Sequence, residues 1–198
     1  MMRTLPRLPR AAALLAVLGT AIPFLAGCGP EMIAVGAVNV AISAGDPRST
    51  GAQIDDQTIE FKVTTAAGSK WGNEVHLNVT SYNGIVLLTG EAPSTVVQDE
   101  ITQIAKSTDR VRIVQNEMVI GPVTDLGART NDTYITSKVK SRLLAEDNVK
   151  GIYVKVVTER SVVYLMGIVP RGEADQAAQV AATTSDVARV VKVFEYKS

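Results

Sequence analysis

The strongest constraint on this chain is that it repeats itself. Asp56-Gln-Thr-Ile59-Glu-Phe-Lys62-Val63 aligns with Asp132-Thr-Tyr-Ile135-Thr-Ser-Lys138-Val139. Val79 to Gly90 then aligns with Val156 to Gly167, and Pro93 with Pro170. Val111, Val114, Met118 and Ile120 fall on Val187, Val190, Phe194 and Tyr196. The offset stays at 76 or 77 residues. A fixed period of this kind means two copies of one supersecondary unit of roughly 65 residues.

Each copy carries the same order of local signals. Acidic or polar residues (Asp55, Asp56; Asn131, Asp132) are read as caps of a first helix with apolar residues at Ile59 and Val63, or Ile135, Val139 and Leu143. An alternating strand follows over 75–79 or 152–156. Asn83-Gly84 is a strong hairpin turn, with Arg160-Ser161 as its weaker counterpart. The second strand spans 85–88 or 162–165 and closes at Gly90 or Gly167, where a bend or positive φ would exclude a side chain. A second helix covers 94–106 or 171–183, and a last strand covers 111–120 or 187–196. The fold class is therefore α+β: two tandem α-β-β-α-β modules, each a small three-stranded sheet with helices on one face.

The N-terminus has a different grammar. Arg3, Arg7 and Arg10 precede an Ala-, Leu- and Val-rich run broken by Pro23. That pattern is a secretory signal peptide, too interrupted for a span of about 20 apolar residues. Its end, Leu25-Ala26-Gly27-Cys28, resembles the lipobox of bacterial lipoproteins. The resemblance makes Cys28 the acylated first residue of a mature chain and, with Gly29 and Pro30 instead of an Asp behind it, implies an outer membrane and a periplasm-facing body. The organisation expected is signal peptide 1–27, lipidated tether 28–53 with a short helix over 32–43, module one 54–122, linker 123–131 and module two 132–198. Acyl chains contribute roughly 0.8 kcal/mol per buried CH₂, so two or three anchor permanently.

Composition narrows the function. The mature chain would hold 17 basic and 20 acidic side chains, so no bulk positive field favours nucleic acid. Acylation would consume the single cysteine, which rules out a disulfide framework. The lone histidine, His76, alternates with Val75 and Leu77 and is read as a solvent-facing spacer. With one His and no free Cys, no metal site is expected, and neither a catalytic constellation, a phosphate loop nor a cofactor motif stands out. Trp71 is read as a packing anchor in the loop before the first strand.

The element order, the glycines at Gly90 and Gly167, and Asn131-Asp132-Thr133-Tyr134-Ile135-Thr136 with Leu165-Met166-Gly167 resemble the BON (bacterial OsmY and nodulation) domain. The lipobox, the Asp46-Pro47-Arg48-Ser49 tether and the duplication are similar to dual-BON outer-membrane lipoproteins. Two departures stand out: Tyr134 where the family often has tryptophan, and Ala66-Ala67 where the second module has Leu143-Leu144.

Charge separates the copies. Residues 54–122 carry 5 basic and 9 acidic side chains, and residues 123–198 carry 11 and 9. On the first helix of module two, Tyr134 and Lys138 flank the buried stripe, with Arg142 beside them and Lys140 on the far side. An aromatic beside long-stemmed cations suits a membrane interface. The resemblance implies phospholipid binding by this helix, so Tyr134, Ile135, Lys138 and Arg142 are the expected contacts for anionic phospholipids such as phosphatidylglycerol and cardiolipin. The expected role is a non-enzymatic lipoprotein supporting outer-membrane integrity. The alternative is an adaptor whose acidic first module docks an envelope protein partner, for instance the outer-membrane barrel assembly machinery.

Overall fold

Strand β2, Ile85–Ala92, is buried along its whole length, which requires cover on both of its faces. Alternation explains how. Val86 and Leu88 point to one side, into a cluster with Ile59, Val63, Ala67, Ile101 and Ala105. Ile85 and Leu87 point to the other, into a separate cluster with Tyr82, Tyr164 and Met166. The first cluster is the core of module one. The second lies between the modules.

The computed structural model of the protein describes residues 46–197. Cys28 and the expected helix over 32–43 lie outside the described residues. In chain order the elements are α1 (Thr50–Trp71), β1 (His76–Tyr82), β2, α2 (Thr95–Ser107), β3 (Ile113–Asn116), β4 (Val119–Ile120), α3 (Leu126–Leu144), β5 (Lys155–Glu159), β6 (Val162–Val169), α4 (Arg171–Ala182) and β7 (Arg189–Tyr196). In module one β2 is central, antiparallel to β1 and parallel to β3 and β4. In module two β6 is central, antiparallel to β5 and parallel to β7. The parallel pairings need crossovers, supplied by α2 and α4. Each module is α-β-β-α-β, with both helices on one face of its sheet.

The helices begin earlier than the caps expected at Asp55–Asp56 and Asn131–Asp132. Ser49 and Asp125 are the caps, accepting from the backbone N–H groups of Ala52 and Ala128. Helix α1 thus takes in the end of the expected tether, and α3 most of the expected linker. Local cap signals misplace the start because Asp56 and Asp132 are buried inside the helices instead. Three other boundaries shift. Residues 151–153 form a 3₁₀ turn, and the strand begins at Lys155. Trp71 ends α1 and packs against the module-one core from there. The last strand of module one is interrupted at Glu117–Met118, where Met118 turns inward and its N–H donates to Asn116 Oδ1.

The cores are aliphatic and equivalent. Ile59, Val63 and Ala67 in α1 occupy the positions of Ile135, Val139 and Leu143 in α3, and all six are buried. Each large member contributes about 1.5–3 kcal/mol. The sheet faces that the helices leave open pack on each other through Tyr82, Ile85, Leu87, Tyr164 and Met166, with Val157, Val191 and Val193 at their margin. Ion pairs ring this interface: Lys155 with Glu60 at 2.9 Å, Arg112 with Glu195 at 2.9 Å and Arg189 with Glu117 at 3.7 Å.

Candidate functional site

The expected lipid-contact residues divide when placed in the fold. Helix α3 lays its Ile135–Val139–Leu143 stripe on the sheet, so Ile135 has no exposed surface. This corrects the expectation that Ile135 meets lipid: it is a core residue. Tyr134 lies outward and is 60% exposed. Lys138 sits beside it with Nζ 4.9 Å from the Tyr134 ring centroid. The same ammonium pairs with Asp186 at 2.8 Å and donates to Ser185. That bond holds the Asp186 carboxyl below the usual carboxylate range.

Arg142 is committed to the fold as well as to the surface. Its guanidinium donates to the Val180 carbonyl at 3.0 Å, Thr184 Oγ1 at 2.7 Å and Thr183 Oγ1 at 3.1 Å. It therefore satisfies acceptors at the C-terminus of α4, where a cation also meets the negative end of the helix dipole. Lys140, on the other flank, donates to the carbonyls of Gly151 and Val154 at 2.9 and 2.6 Å. Burial lowers its pKa.

Two apolar residues missed in the sequence complete the outer face. Leu126 is 78% exposed and Leu144 57% exposed. At 100° per residue they share a sector of about 80° with Tyr134. Thr130, Ser137 and Ser141 fill the space between them and are exposed. The one acidic side chain within α3, Asp132, is buried, so the helix adds no carboxylate of its own to this face, and Asp186 stands at its edge, paired with Lys138. The signal was available in the sequence, but α3 was expected to begin too late to include Leu126, and Leu144 was grouped with the core residue Leu143.

Gly90 and Gly167 lie inside β2 and β6, not at their ends. Gly90 has φ +115°, and a Cβ there would press into the His76 carbonyl of β1. At Gly167 a Cβ would meet the Tyr153 carbonyl oxygen at 3.0 Å. His76 departs from its expected role as a solvent-facing spacer. Its side chain is only 15% exposed and its Nδ1 lies 3.1 Å from Glu91 Oε2. Alternation is blind to this, because the outward face of β1 is the inter-module face.

Two tandem α-β-β-α-β modules make up the described chain, and the chain belongs to the BON domain family, whose model matches residues 55–122 and 131–198. The chain is 41% identical to outer membrane lipoprotein DolP of Haemophilus influenzae over 184 residues, 92% of this chain and 95% of that protein. It is 37% identical to the 21 kDa hemolysin of Actinobacillus pleuropneumoniae, over 76% of this chain and 79% of that one. Identity to osmotically-inducible protein Y of Escherichia coli is 28%, over 69% and 70% of the two chains.

Proposed function

We propose that this protein binds anionic phospholipid through the exposed face of α3, without catalysis, and thereby supports the integrity of the outer membrane. The chain is a DolP-like outer-membrane lipoprotein with two BON domains. Its Leu25-Ala26-Gly27-Cys28 segment supplies the residue for acylation, and no described helix is long and apolar enough to cross a membrane. Anchored at Cys28, the body faces the periplasm and meets lipid at high local concentration, so weak contacts suffice.

The observation that carries the reading is the outer face of α3, to which the helix contributes no exposed carboxylate and from which Leu126, Tyr134 and Leu144 project. Magnitudes decide which part dominates. A cation near an anionic surface contributes about 1 kcal/mol, and Lys138 and Arg142 already have partners. Inserting an exposed large apolar side chain is worth about 1.5–3 kcal/mol. Apolar insertion therefore leads, and the cations select anionic headgroups such as those of phosphatidylglycerol and cardiolipin.

A second reading has its own observation. On α1, Phe61 is 72% exposed and Ile54, seven residues earlier on the same side of the helix, is 59% exposed, with Asp55 next to Ile54. Acidic neighbours suit an envelope protein partner better than anionic lipid. Sedimentation of residues 46–198 with anionic or zwitterionic vesicles separates the two. Binding to anionic vesicles that falls at least tenfold in Tyr134→Glu supports the α3 face. Wild-type binding unchanged by Tyr134→Glu removes that face from the reading, and no binding to either vesicle favours an adaptor working through α1.

A further inference from the structure

Outside the α3 face, the densest chemistry lies at one end of the inter-module interface. His76 on β1 and Glu91 on β2 are directly paired across the strands. Glu159, at the end of β5 in the other module, approaches them, with Oε1 3.8 Å from His76 Nδ1. One ligand atom from each of the three residues lies within 4.8 Å of the others. Glu91 is 0% exposed and Glu159 5% exposed.

We propose that His76, Glu91 and Glu159 form a three-ligand site for a divalent transition-metal ion of the zinc type, joining the two modules. Two buried carboxylates need compensating charge, since an uncompensated buried ion is expensive. The groups nearby only partly provide it. Glu91 Oε2 accepts from the N–H and Oγ1 of Thr124 at 3.1 and 3.2 Å. Its other oxygen, Oε1, is fully buried and accepts no hydrogen bond. The nearest cation to it is Arg160, at 3.6 Å on a half-exposed arm.

A divalent ion between two carboxylates and a neutral imidazole makes a site of zero net charge. Imidazole nitrogen and carboxylate oxygen are ordinary zinc ligands at about 2.0–2.2 Å. Donors on a tetrahedron of that radius stand roughly 3.3–3.6 Å apart, so the observed 3.1 and 3.8 Å separations from His76 need little adjustment, and the two carboxylates, within 4.8 Å of each other, need only rotate toward the ion. A fourth position is left for water. The outer shell is already built: Asn78 Nδ2 donates to Glu159 Oε2 at 2.7 Å, and Thr124 fixes Glu91. Such partners orient metal ligands. An entry path exists too, because a cleft of about 220 Å³ is lined by His76, Asn78 and Glu159.

This revises the expectation of no metal site. That expectation counted His and Cys, whereas two of these three ligands are carboxylates far apart in the chain. The same scarcity makes the test clean, since His76 is the only histidine. The full-length chain in detergent micelles is titrated with zinc chloride by calorimetry, with magnesium chloride as comparison. Zinc should bind at one ion per chain and raise the thermal unfolding midpoint, and magnesium should do neither. His76→Gln and Glu159→Gln should each weaken zinc at least tenfold while matching wild-type circular dichroism in EDTA. Cobalt(II) bound to the wild-type chain should show visible d–d absorption, a readout that needs no variant. Absence of zinc binding and of a cobalt spectrum in the wild type overturns the proposal, as does zinc binding of wild-type strength in folded His76→Gln.

Discussion

Asp56 and Asp132, 76 residues apart, are the same residue in the two modules, and each reaches from the second turn of its first helix to hold the hairpin turn of its sheet. Asp132 accepts the backbone N–H groups of Arg160 and Ser161, both at 2.8 Å. Asp56 accepts those of Asn83 and Gly84 at 2.7 and 2.9 Å. All four turn residues have positive φ, the geometry of a two-residue primed hairpin turn. Asn and Gly adopt it readily. Arg160 and Ser161 do not, and the Asp132 carboxylate compensates by satisfying both of their N–H groups.

Replacing Asp132 with Ala should therefore destabilise the protein by about 2–4 kcal/mol, because two turn N–H groups lose a charged acceptor. Changing Arg160-Ser161 to Asn-Gly in that background should recover part of the loss. Asp56→Ala should cost more, since it also releases Ser81 Oγ and Arg48. Urea unfolding of the four proteins measures all three differences.

The two strand glycines should not be equivalent. Gly90→Ala combines φ +115° with a Cβ driven into the His76 carbonyl oxygen, whereas Gly167, at a nearly extended φ of +157°, would bring its Cβ only to 3.0 Å from the Tyr153 carbonyl oxygen. The first should cost at least about 3 kcal/mol and the second markedly less. Thermal unfolding followed by circular dichroism decides it. Equal losses would place the strain elsewhere.

Arg142 offers a way to separate fold from lipid contact. Arg142→Lys keeps the charge but cannot reach Val180, Thr183 and Thr184 together. A loss of about 1 kcal/mol in stability is expected, with anionic-vesicle binding close to wild type. A large loss of binding with stability intact would make Arg142 a direct headgroup contact.

Glu159 has a definite pH signature in the metal-free protein. Its folded-state pKa lies above the ordinary 4.5, mainly through burial. A raised acid pKa means the native state binds the proton more tightly than the unfolded one, so the carboxylate costs stability above its folded pKa. That cost fades as pH falls to 4.5 and below. In EDTA, Glu159→Gln should therefore be more stable than wild type near pH 7.5, with the gap closing toward pH 4. A gap that widens on acidification would show that the ionised group is stabilising.

The duplication, the α-β-β-α-β order and the buried stripes of both first helices were legible in the sequence, because each depends on period and spacing within one short stretch. Ile59, Val63, Ile135, Val139 and Leu143 are all where a 3.6-residue period puts them. The helix starts were misplaced because Asp56 and Asp132 look like caps locally, and only the hairpin two elements later shows what their carboxylates hold. The family resemblance joins Ile135 to Tyr134 as a lipid contact, whereas the 3.6-residue period places it in the buried stripe, one step along a helix turning a side chain by 100°, and the period is what the fold follows.

What the sequence determined by itself is the module: its hydrophobic periods and its hairpin turn are local properties of the chain. The tertiary structure decided which second face of each sheet would be covered, and by what. The odd-numbered residues Ile85 and Leu87 of β2 and the even-numbered Tyr164, Met166 and Ile168 of β6 are apolar like their neighbours, so both strands read as runs that need cover on two faces, and Leu87 and Met166 are fully buried in the cluster between the modules. That pairing also brings His76, Glu91 and Glu159 together from across the chain. A continuous apolar run says that both faces of a strand need cover, and only the docking of the two sheets settles what covers the second one.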